Sequence, residues 1–457
     1  MKFLYSDEPI IACSTSSQTH AALAVLRISG LDDLKSIQKF FKLNLGPIEP
    51  RRVYFTQLVS EAAEFIDEIC LTWFKGPHSF NAENILELSI HGNTLNIERI
   101  LKLFIDSGVC RAALPGEFTY RALKNKKLTL SQVEGLDLFL NANSGYALSQ
   151  GLSLLNGDLH QSYSHLYDLF LKHKASLELS IDFSEDVGES TAQKYFQESL
   201  SEFHHKIEEL HRRVMPLSQN LIQPEIVLVG LPNAGKSSLF NYFLRQERAI
   251  VSATAGTTRD YISELIEIEG VKYKLIDTAG IREGKDDIES EGIKRSLEKA
   301  KHSFFTILLI NPFETSHEFF ELEKVSYDVA FFTHSDKAGF NAACEIFKKH
   351  HPAFGSIGAL NTKNLTQWQE VDVFNLVNKK YLLTTQDKPI LLDRHKGLIL
   401  QAFNLATAYR ILSSHETDVA ILSHELNTLG HCLSELIGII SPDQVLNSIF
   451  SNFCIGK

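Results

Sequence analysis

The sequence has few cysteines, no long apolar run and no excess of positive charge, and each shortage closes off a class of function. Its six cysteines (Cys13, Cys70, Cys110, Cys344, Cys432 and Cys454) lie far apart, with no C-x-x-C pair and no zinc-like spacing to the eighteen histidines. That excludes a disulfide scaffold or a zinc module and leaves reduced thiols, as expected of a cytoplasmic protein. No apolar stretch approaches membrane-spanning length, so no membrane segment is expected. Lys2 is soon followed by Asp7 and Glu8, so no signal peptide is expected either. The end, Cys454-Ile-Gly-Lys457, fits a prenylation box poorly because of Gly456 and the terminal lysine. Lysine and arginine total 45 against 56 acidic residues, a net charge of −11, which excludes a general polyanion binder but leaves room for a local basic patch. Repeats and low-complexity tracts are lacking as well.

What is present is an ordinary globular composition, 44% hydrophobic, over 457 residues. That is too long for one core and implies roughly two or three domains. Val25–Ser29 and Asn84–His91 read as strands, and Thr94 to Asp106 has helical periodicity through Ile97, Ile100, Leu101 and Phe104. From about 121 to 215 the pattern is helical, interrupted by a polar stretch near 186–192. Strands are then predicted at 261–268, 271–276, 304–311 and 328–333, with Glu269-Gly270 as a tight hairpin turn. After a linker at Pro389 the chain is helical again. The expected fold is multidomain α/β. An N-terminal α+β domain (1–120) precedes a helical domain (121–218 and 383–457), into which a P-loop, Ras-like G domain (219–382) is inserted.

The chemistry centres on Gly230-Leu-Pro-Asn-Ala-Gly-Lys-Ser237, which fits G-x-x-x-x-G-K-[ST] between an apolar strand and a helix. Glycine at 230 and 235 lets the backbone turn its N–H groups onto phosphate oxygens, and the helix N-terminus adds positive potential. Lys236 reaches the β and γ phosphates, Ser237 ligates Mg²⁺, and Asn233, Ala234, Gly235 and Ser238 complete the loop. Downstream, Gly256-Thr-Thr-Arg-Asp260 offers Thr258 to the γ-phosphate and Mg²⁺. Asp277-Thr-Ala-Gly280 offers a carboxylate to Mg²⁺ through water and the Gly280 N–H to the γ-phosphate. Guanine is expected over adenine from Thr333-His-Ser-Asp336, in which Asp336 accepts from the base and Thr333 stands in place of asparagine. Gly358-Ala-Leu360 falls where the sugar-side loop would be.

Ile281 follows Asp-Thr-Ala-Gly, where Ras-type enzymes carry a water-orienting glutamine. Glu289 either orients the water or is an acidic residue favoured near a helix start. Arg259 reads as structural rather than as an arginine finger. The amide oxygen of Asn233, with carbonyls from the Ser252–Thr257 segment, can hold a monovalent cation beside the β/γ bridge and supply a finger's electrostatic effect.

These motifs, with Ala249-Ile-Val-Ser-Ala-Thr-Ala-Gly-Thr-Thr-Arg-Asp260 and Asp277-Thr-Ala-Gly-Ile-Arg282, resemble those of the MnmE (TrmE) family of tRNA modification GTPases. Leu26-Arg-Ile-Ser-Gly30, Leu86-Glu-Leu-Ser-Ile-His-Gly92, Pro115-Gly-Glu-Phe-Thr-Tyr-Arg121, Leu128-Thr-Leu-Ser-Gln-Val-Glu134 and Phe453-Cys-Ile-Gly-Lys457 extend the resemblance over essentially the whole chain. It implies a cytoplasmic homodimer whose N-terminal domain mediates dimerisation. That domain would bind a tetrahydrofolate derivative (5,10-methylene or 5-formyl) through Arg27, Glu87, Lys127 and Lys457. It implies K⁺ at Asn233, Ser252, Thr254 and Thr257 and Mg²⁺ at Ser237 and Thr258. GTP contacts would also come from Ser252, Thr257, Thr258, Asp277, Thr278, Ala279, Gly280, Thr333 and Asp336. The resemblance makes Glu289 the catalytic acid and Cys454 a functional cysteine. With the FAD-containing partner MnmG the family installs a carboxymethylaminomethyl or aminomethyl group at C5 of wobble uridine in tRNA. Glycine or ammonium supplies the nitrogen.

Arg121, Lys124, Lys126 and Lys127 are candidates for tRNA phosphate contact, although a solvated helix face is the stronger reading for all but Lys127. Two departures stand out. Ser14-Thr-Ser-Ser-Gln-Thr-His-Ala-Ala22 replaces a glycine-rich segment, and Thr333-His-Ser-Asp336 replaces Asn-Lys-x-Asp. The alternative reading is a regulatory or ribosome-assembly GTP switch without modification chemistry. Relatives of that kind carry an RNA-binding module after the G domain, where this chain returns to helix.

Overall fold

The computed structural model describes residues 7–15, 21–46, 48–182, 189–214, 221–245, 262–278, 298–314, 319–323, 325–354, 357–359, 370–386, 388–414, 419–439, 450 and 456. They form two compact units. The first comprises Met1–Asp137, Leu154–His160 and Ile437–Lys457, and the second Leu138–Ser153 and Gln161–Leu436.

Unit 1 is built on a six-stranded sheet. Its strands are β1 (Ile10–Cys13), β2 (Leu23–Ser29), β3 (Val53–Val59), β4 (Phe65–Phe74), β5 (Ile85–His91) and β6 (Arg111–Ala112), in the order β3-β4-β5-β2-β1-β6. All neighbours are antiparallel except β1 with β6. One face is the core. Leu26, Ile28, Leu71, Leu86, Leu88 and Ile90 pack there with Ile97, Ile100 and Phe104 of helix α1 (Thr94–Asp106). Helix α1 starts where it does because the Asn93 side chain accepts from the N–H groups of Leu95 and Asn96, a cap worth about 1 kcal/mol. The opposite face carries Arg27, Glu87 and Ser89, which alternate with core residues along their strands. Helix α2 (Glu117–Lys124) follows, and Phe118 packs beside Ile10, Ala12 and Ala113 of β1 and its surroundings.

The predicted strands at 25–29 and 84–91 and helix α1 are present. The hairpin of β3 and β4 is missing from the sequence reading. Its apolar alternation is broken because Asp67 occupies a buried position on β4.

Unit 2 holds a second six-stranded sheet. Its strands are β7 (Glu225–Val229), β8 (Ile262–Ile268), β9 (Val271–Asp277), β10 (Phe305–Ile310), β11 (Val329–Phe332) and β12 (Ile357–Ala359), in the order β12-β11-β10-β7-β9-β8. Only β8 runs antiparallel to its neighbour. Strands buried on both faces read as near-continuous apolar runs, as β7 and β10 do. Glu269 (φ 49°) and Gly270 (φ 78°) take the left-handed geometry of a two-residue hairpin turn between β8 and β9.

The longer helices are α3 (Leu130–Leu140), α4 (Gly145–Asn156), α5 (Asp158–Asp182), α6 (Glu189–Arg212), α11 (Asp393–Leu412) and α12 (Val419–Leu436), the last three wholly within unit 2. The helices α7 (Lys236–Arg245), α8 (Phe319–Leu322), α9 (Phe340–His350) and α10 (Glu370–Gln386) fall between the strands or after them. A buried polar cluster joins α5, α6 and α11: His173 Nδ1 lies 2.8 Å from Ser199 Oγ and its Nε2 lies 3.2 Å from Tyr409 OH. The chain leaves the helices and returns to them at one place. Ile390 N–H donates to Arg213 O (2.9 Å), and Arg213 Nε donates to Lys388 O (3.0 Å). That is the geometry of an insertion.

Candidate functional site

The phosphate loop is held open by backbone geometry that its residue types dictate. A Cβ on Gly230 would stand 2.3 Å from the Leu309 carbonyl oxygen, so only glycine fits beside β10. Asn233 (φ 59°) and Gly235 (φ 91°) are left-handed, a conformation asparagine and glycine adopt at least cost. Lys236 is only 5% exposed, and its ammonium donates to Gly230 O (2.7 Å) and Leu231 O (2.8 Å) inside its own loop. Burial pulls its pKa down, and the Asp277 and Glu314 carboxylates push the other way. Ser237 Oγ donates to Asp277 Oδ2 (2.7 Å) at the end of β9. The hydroxyl and carboxylate expected at the metal therefore lie together, and an oxygen-only pair of this kind suits Mg²⁺. Thr278 is used structurally: its hydroxyl donates to Leu228 O (2.9 Å). Ala234, Gly235 and Ser238 belong to the loop or the first turn of α7.

On the base side, Thr333 at the end of β11 is fully buried. Its hydroxyl donates to Ile310 O (3.2 Å) and lies 2.9 Å from His334 Nδ1. His334 is left-handed (φ 62°), and Asp336 sits in the turn closed by Lys337 N–H donating to His334 O (3.0 Å). Gly358 and Ala359 lie on β12, beside Phe331 and Phe332 of β11. Sequence reasoning passed over Glu314, whose carboxyl is pushed up by burial and interacts with Lys337 and Lys236. The signal available was a polar Asn311 directly after the apolar run of β10.

Ser252, Thr254, Thr257, Thr258, Ala279, Gly280, Ile281 and Glu289 lie outside the described residues, as do Cys454 and Lys457.

In unit 1 the second face of the sheet carries a charged site. Arg27 donates to Glu87 Oε1 from Nε (2.9 Å) and Nη2 (2.7 Å), across a register in which the two residues are direct partners. Both side chains stay partly exposed, at 22% and 27%, and the Phe80 and Phe118 rings lie 5.9 and 5.8 Å from the Arg27 guanidinium carbon. A guanidinium near two aromatic rings, paired with a partly exposed carboxylate, fits a flat heteroaromatic ligand that carries amino donors and a carboxylate. Lys127 is exposed in the turn after α2, its N–H donating to Ala122 O (2.8 Å). The chain end docks on the same unit. Ser14 Oγ donates to Gly456 O (3.1 Å), and a Cβ on Gly456 would stand 2.3 Å from Cys13 O.

Two of the basic candidates for tRNA contact are already engaged. Arg121 is buried, donating to Glu83 (3.0 Å), Glu117 (3.1 Å) and the Glu8 carbonyl (2.7 Å). Arg121 is therefore a structural cation, not a phosphate contact. Burial pushes the Glu117 carboxyl up, but hydrogen bonds from Arg111, the Leu114 N–H and Arg121 outweigh it and hold the pKa below the usual range. Lys124 pairs with Asp7 (2.7 Å) at the surface.

The five described cysteines are free thiols. Among the described residues no helix is long and apolar enough to cross a membrane.

Comparison with known proteins finds matches to stretches of both units. Residues 9–127 match the family model "GTP-binding protein TrmE N-terminus", and residues 225–337 match "50S ribosome-binding GTPase". The chain is 33% identical to the tRNA modification GTPase MnmE of Aquifex aeolicus, over 98% of this chain and 100% of the relative. It is 31% identical to the MnmE of Francisella tularensis subsp. holarctica, over 99% and 100%. Among solved structures, the G domain of the T. maritima FeoB iron transporter is similar at 21% identity, covering 35% of this chain and 99% of that one with a TM-score of 0.25.

Proposed function

The chain belongs to the MnmE (TrmE) family of tRNA modification GTPases, and on that premise we propose that its GTP cycle drives folate-dependent modification of C5 of wobble uridine. It hydrolyses GTP and serves tRNA modification. Two copies pair through the N-terminal domain and act in the cytoplasm with the FAD-containing partner MnmG. Asn233, Ser252, Thr254 and Thr257 would hold K⁺, which would supply positive charge beside the β and γ phosphates in place of an arginine finger. Ser237 and Thr258 would hold Mg²⁺, and Glu289 orients the attacking water that Ile281 cannot. A reduced folate, bound by Arg27, Glu87, Lys127 and Lys457, supplies a one-carbon unit. Cys454 serves as a functional cysteine.

The observation that carries the GTPase half is the buried Lys236 ammonium beside the Ser237–Asp277 pair. A buried cation with a hydroxyl–carboxylate pair beside it supports binding of a phosphate and its metal at this loop. For the folate half the support is the Arg27–Glu87 pair, with two aromatic rings near the guanidinium, and Gly456 docked on Ser14.

GTP turnover in KCl and in NaCl tests the reading. Turnover is expected to be faster in KCl, to lose that preference in Asn233→Ala, and to fall by about 10²–10³-fold in Glu289→Ala. Equal rates in the two salts would remove the cation from the mechanism.

A further inference from the structure

The base side of the nucleotide site departs from the Asn-Lys-x-Asp pattern at its first two residues, Thr333 and His334. Strands β7, β10 and β11 are parallel neighbours. The phosphate loop after Val229 and the segment Thr333–Asp336 after Phe332 therefore leave the sheet at the same end. Ligands of open α/β sheets bind outside the carboxyl ends of the strands. Two strand spacings separate the segments by about 10 Å, the reach of a ribose between a diphosphate and its base. Between them, after β10, the Glu314 carboxyl interacts with Lys236 of the phosphate loop and with Lys337, just past Asp336. A nucleotide with its phosphates on Lys236 lays its base at Thr333–Asp336.

Thr333 cannot do there what an asparagine does. An asparagine amide carries two N–H donors, a threonine hydroxyl one O–H. Thr333 is fully buried, and its one hydroxyl proton goes to Ile310 O (3.2 Å), which also takes the Thr333 N–H (2.8 Å). The hydroxyl oxygen then accepts from His334 Nδ1–H (2.9 Å). Neither the hydroxyl nor Nδ1 has a proton left for N7 or O6, the acceptors of guanine. Asp336 answers the donors instead, N1–H and the 2-amino group, because a carboxylate only accepts.

His334 is fixed in place. Its left-handed backbone (φ 62°) is uncommon for a residue with a Cβ. The bond to Thr333 turns the half-buried ring towards β10, the side of β11 on which the phosphate loop lies. Lys337 does not take over as a covering cation, since its ammonium stands 5.2 Å from the centre of the Phe313 ring.

We propose that His334, steered by Thr333, stacks on the purine as the cover of the base, and that this motif leaves N7 of guanine unread. Guanine is then held by stacking and by Asp336 on two donors. The inference rests on the nucleotide reading of this site and leaves hydrolysis to the phosphate loop.

Equilibrium binding of nucleoside diphosphates to the full chain tests it. GDP and 7-deaza-GDP, which lacks the N7 acceptor, are expected to bind within about twofold of each other. Inosine diphosphate lacks the 2-amino donor and is expected to bind about 10-fold less tightly than GDP, and ADP at least as weakly. His334→Ala should weaken GDP and 7-deaza-GDP alike, by about 10-fold. His334→Phe should recover most of that loss, because a phenyl ring stacks without the bond to Thr333. Thr333→Val removes the steering oxygen and should cost less than His334→Ala. Pyrophosphate binding and single-turnover GTP cleavage at saturating nucleotide should stay as in the unaltered chain, which separates a lost cover from misfolding. A preference of about tenfold or more for GDP over 7-deaza-GDP overturns the unread N7. Unchanged GDP affinity in His334→Ala, or no recovery in His334→Phe with pyrophosphate binding intact, overturns the cover. An unaltered chain that binds none of these nucleotides overturns the nucleotide reading and this inference together.

Discussion

A run of consecutive residues, Gly230 to Ser237, supplies most of the phosphate site. The charged face of unit 1 instead draws Arg27 and Glu87 from two strands, and the hydrogen bond that docks the chain end there spans 442 residues. The first site does its chemistry with backbone N–H groups and one lysine, so its requirements are local turns and close approaches that glycine and asparagine satisfy. The second needs side chains of opposite charge at matched register positions, which only the finished sheet provides. A local site is stable to change elsewhere, and an assembled one is only as secure as the network behind it.

The sharpest way to break that comparison is to cut the network in unit 1. Arg121→Ala would take from the buried Glu117 one of its two arginines and leave Glu83 without its cation, a loss of about 3 kcal/mol in stability. Denaturant unfolding of unit 1 is expected to shift accordingly, with GTP turnover unchanged. Reduced GTP turnover at full folding would show that the two sites are not independent. Next in size, Lys236→Ala removes the loop's ammonium. Single-turnover GTP cleavage is expected to fall by about 10²–10³-fold, with reduced-folate binding measured by titration unaffected.

A third perturbation should touch neither site. Burial holds His173 down to about 4 in the folded helices, whereas an unfolded histidine titrates near 6.5. Between those values the unfolded chain binds more protons. Stability should therefore fall as the pH drops from about 6.5 to about 4, by roughly 3 kcal/mol at most. His173→Gln should remove that part of the slope in pH-dependent unfolding curves, leaving nucleotide and folate affinities at neutral pH unaltered.

The same contrast decides what was legible in the sequence. Gly230, Asn233, Gly235, Lys236 and Ser237 could be read directly, because the motif, the strand before it and the helix after it are contiguous. Asp277 followed because it ends an apolar strand. The turn at Glu269-Gly270 was legible for the same local reason. Three things were not. Arg121 read as a surface cation because its partners, Glu83 and the Glu8 carbonyl, are distant in sequence. The β3–β4 hairpin was hidden because Asp67 sits at a buried position, and its reason for being there, the bonds to His91 and Asn96, is tertiary. The direct pairing of Arg27 with Glu87 depends on strand register, which their spacing in the chain does not specify. Local rules failed where side chains converge from separate elements, as functional or strained sites are expected to make them fail.

Mass spectrometry of tRNA nucleosides tests the central claim most directly. Cells lacking this gene should contain wobble uridine without its C5 aminomethyl-type group. The unaltered chain should restore the group, whereas Lys236→Ala and Arg27→Ala, each inactivating a different unit, should both fail to do so. Persistence of the modification in the deleted strain, or full restoration by Arg27→Ala, would contradict the account.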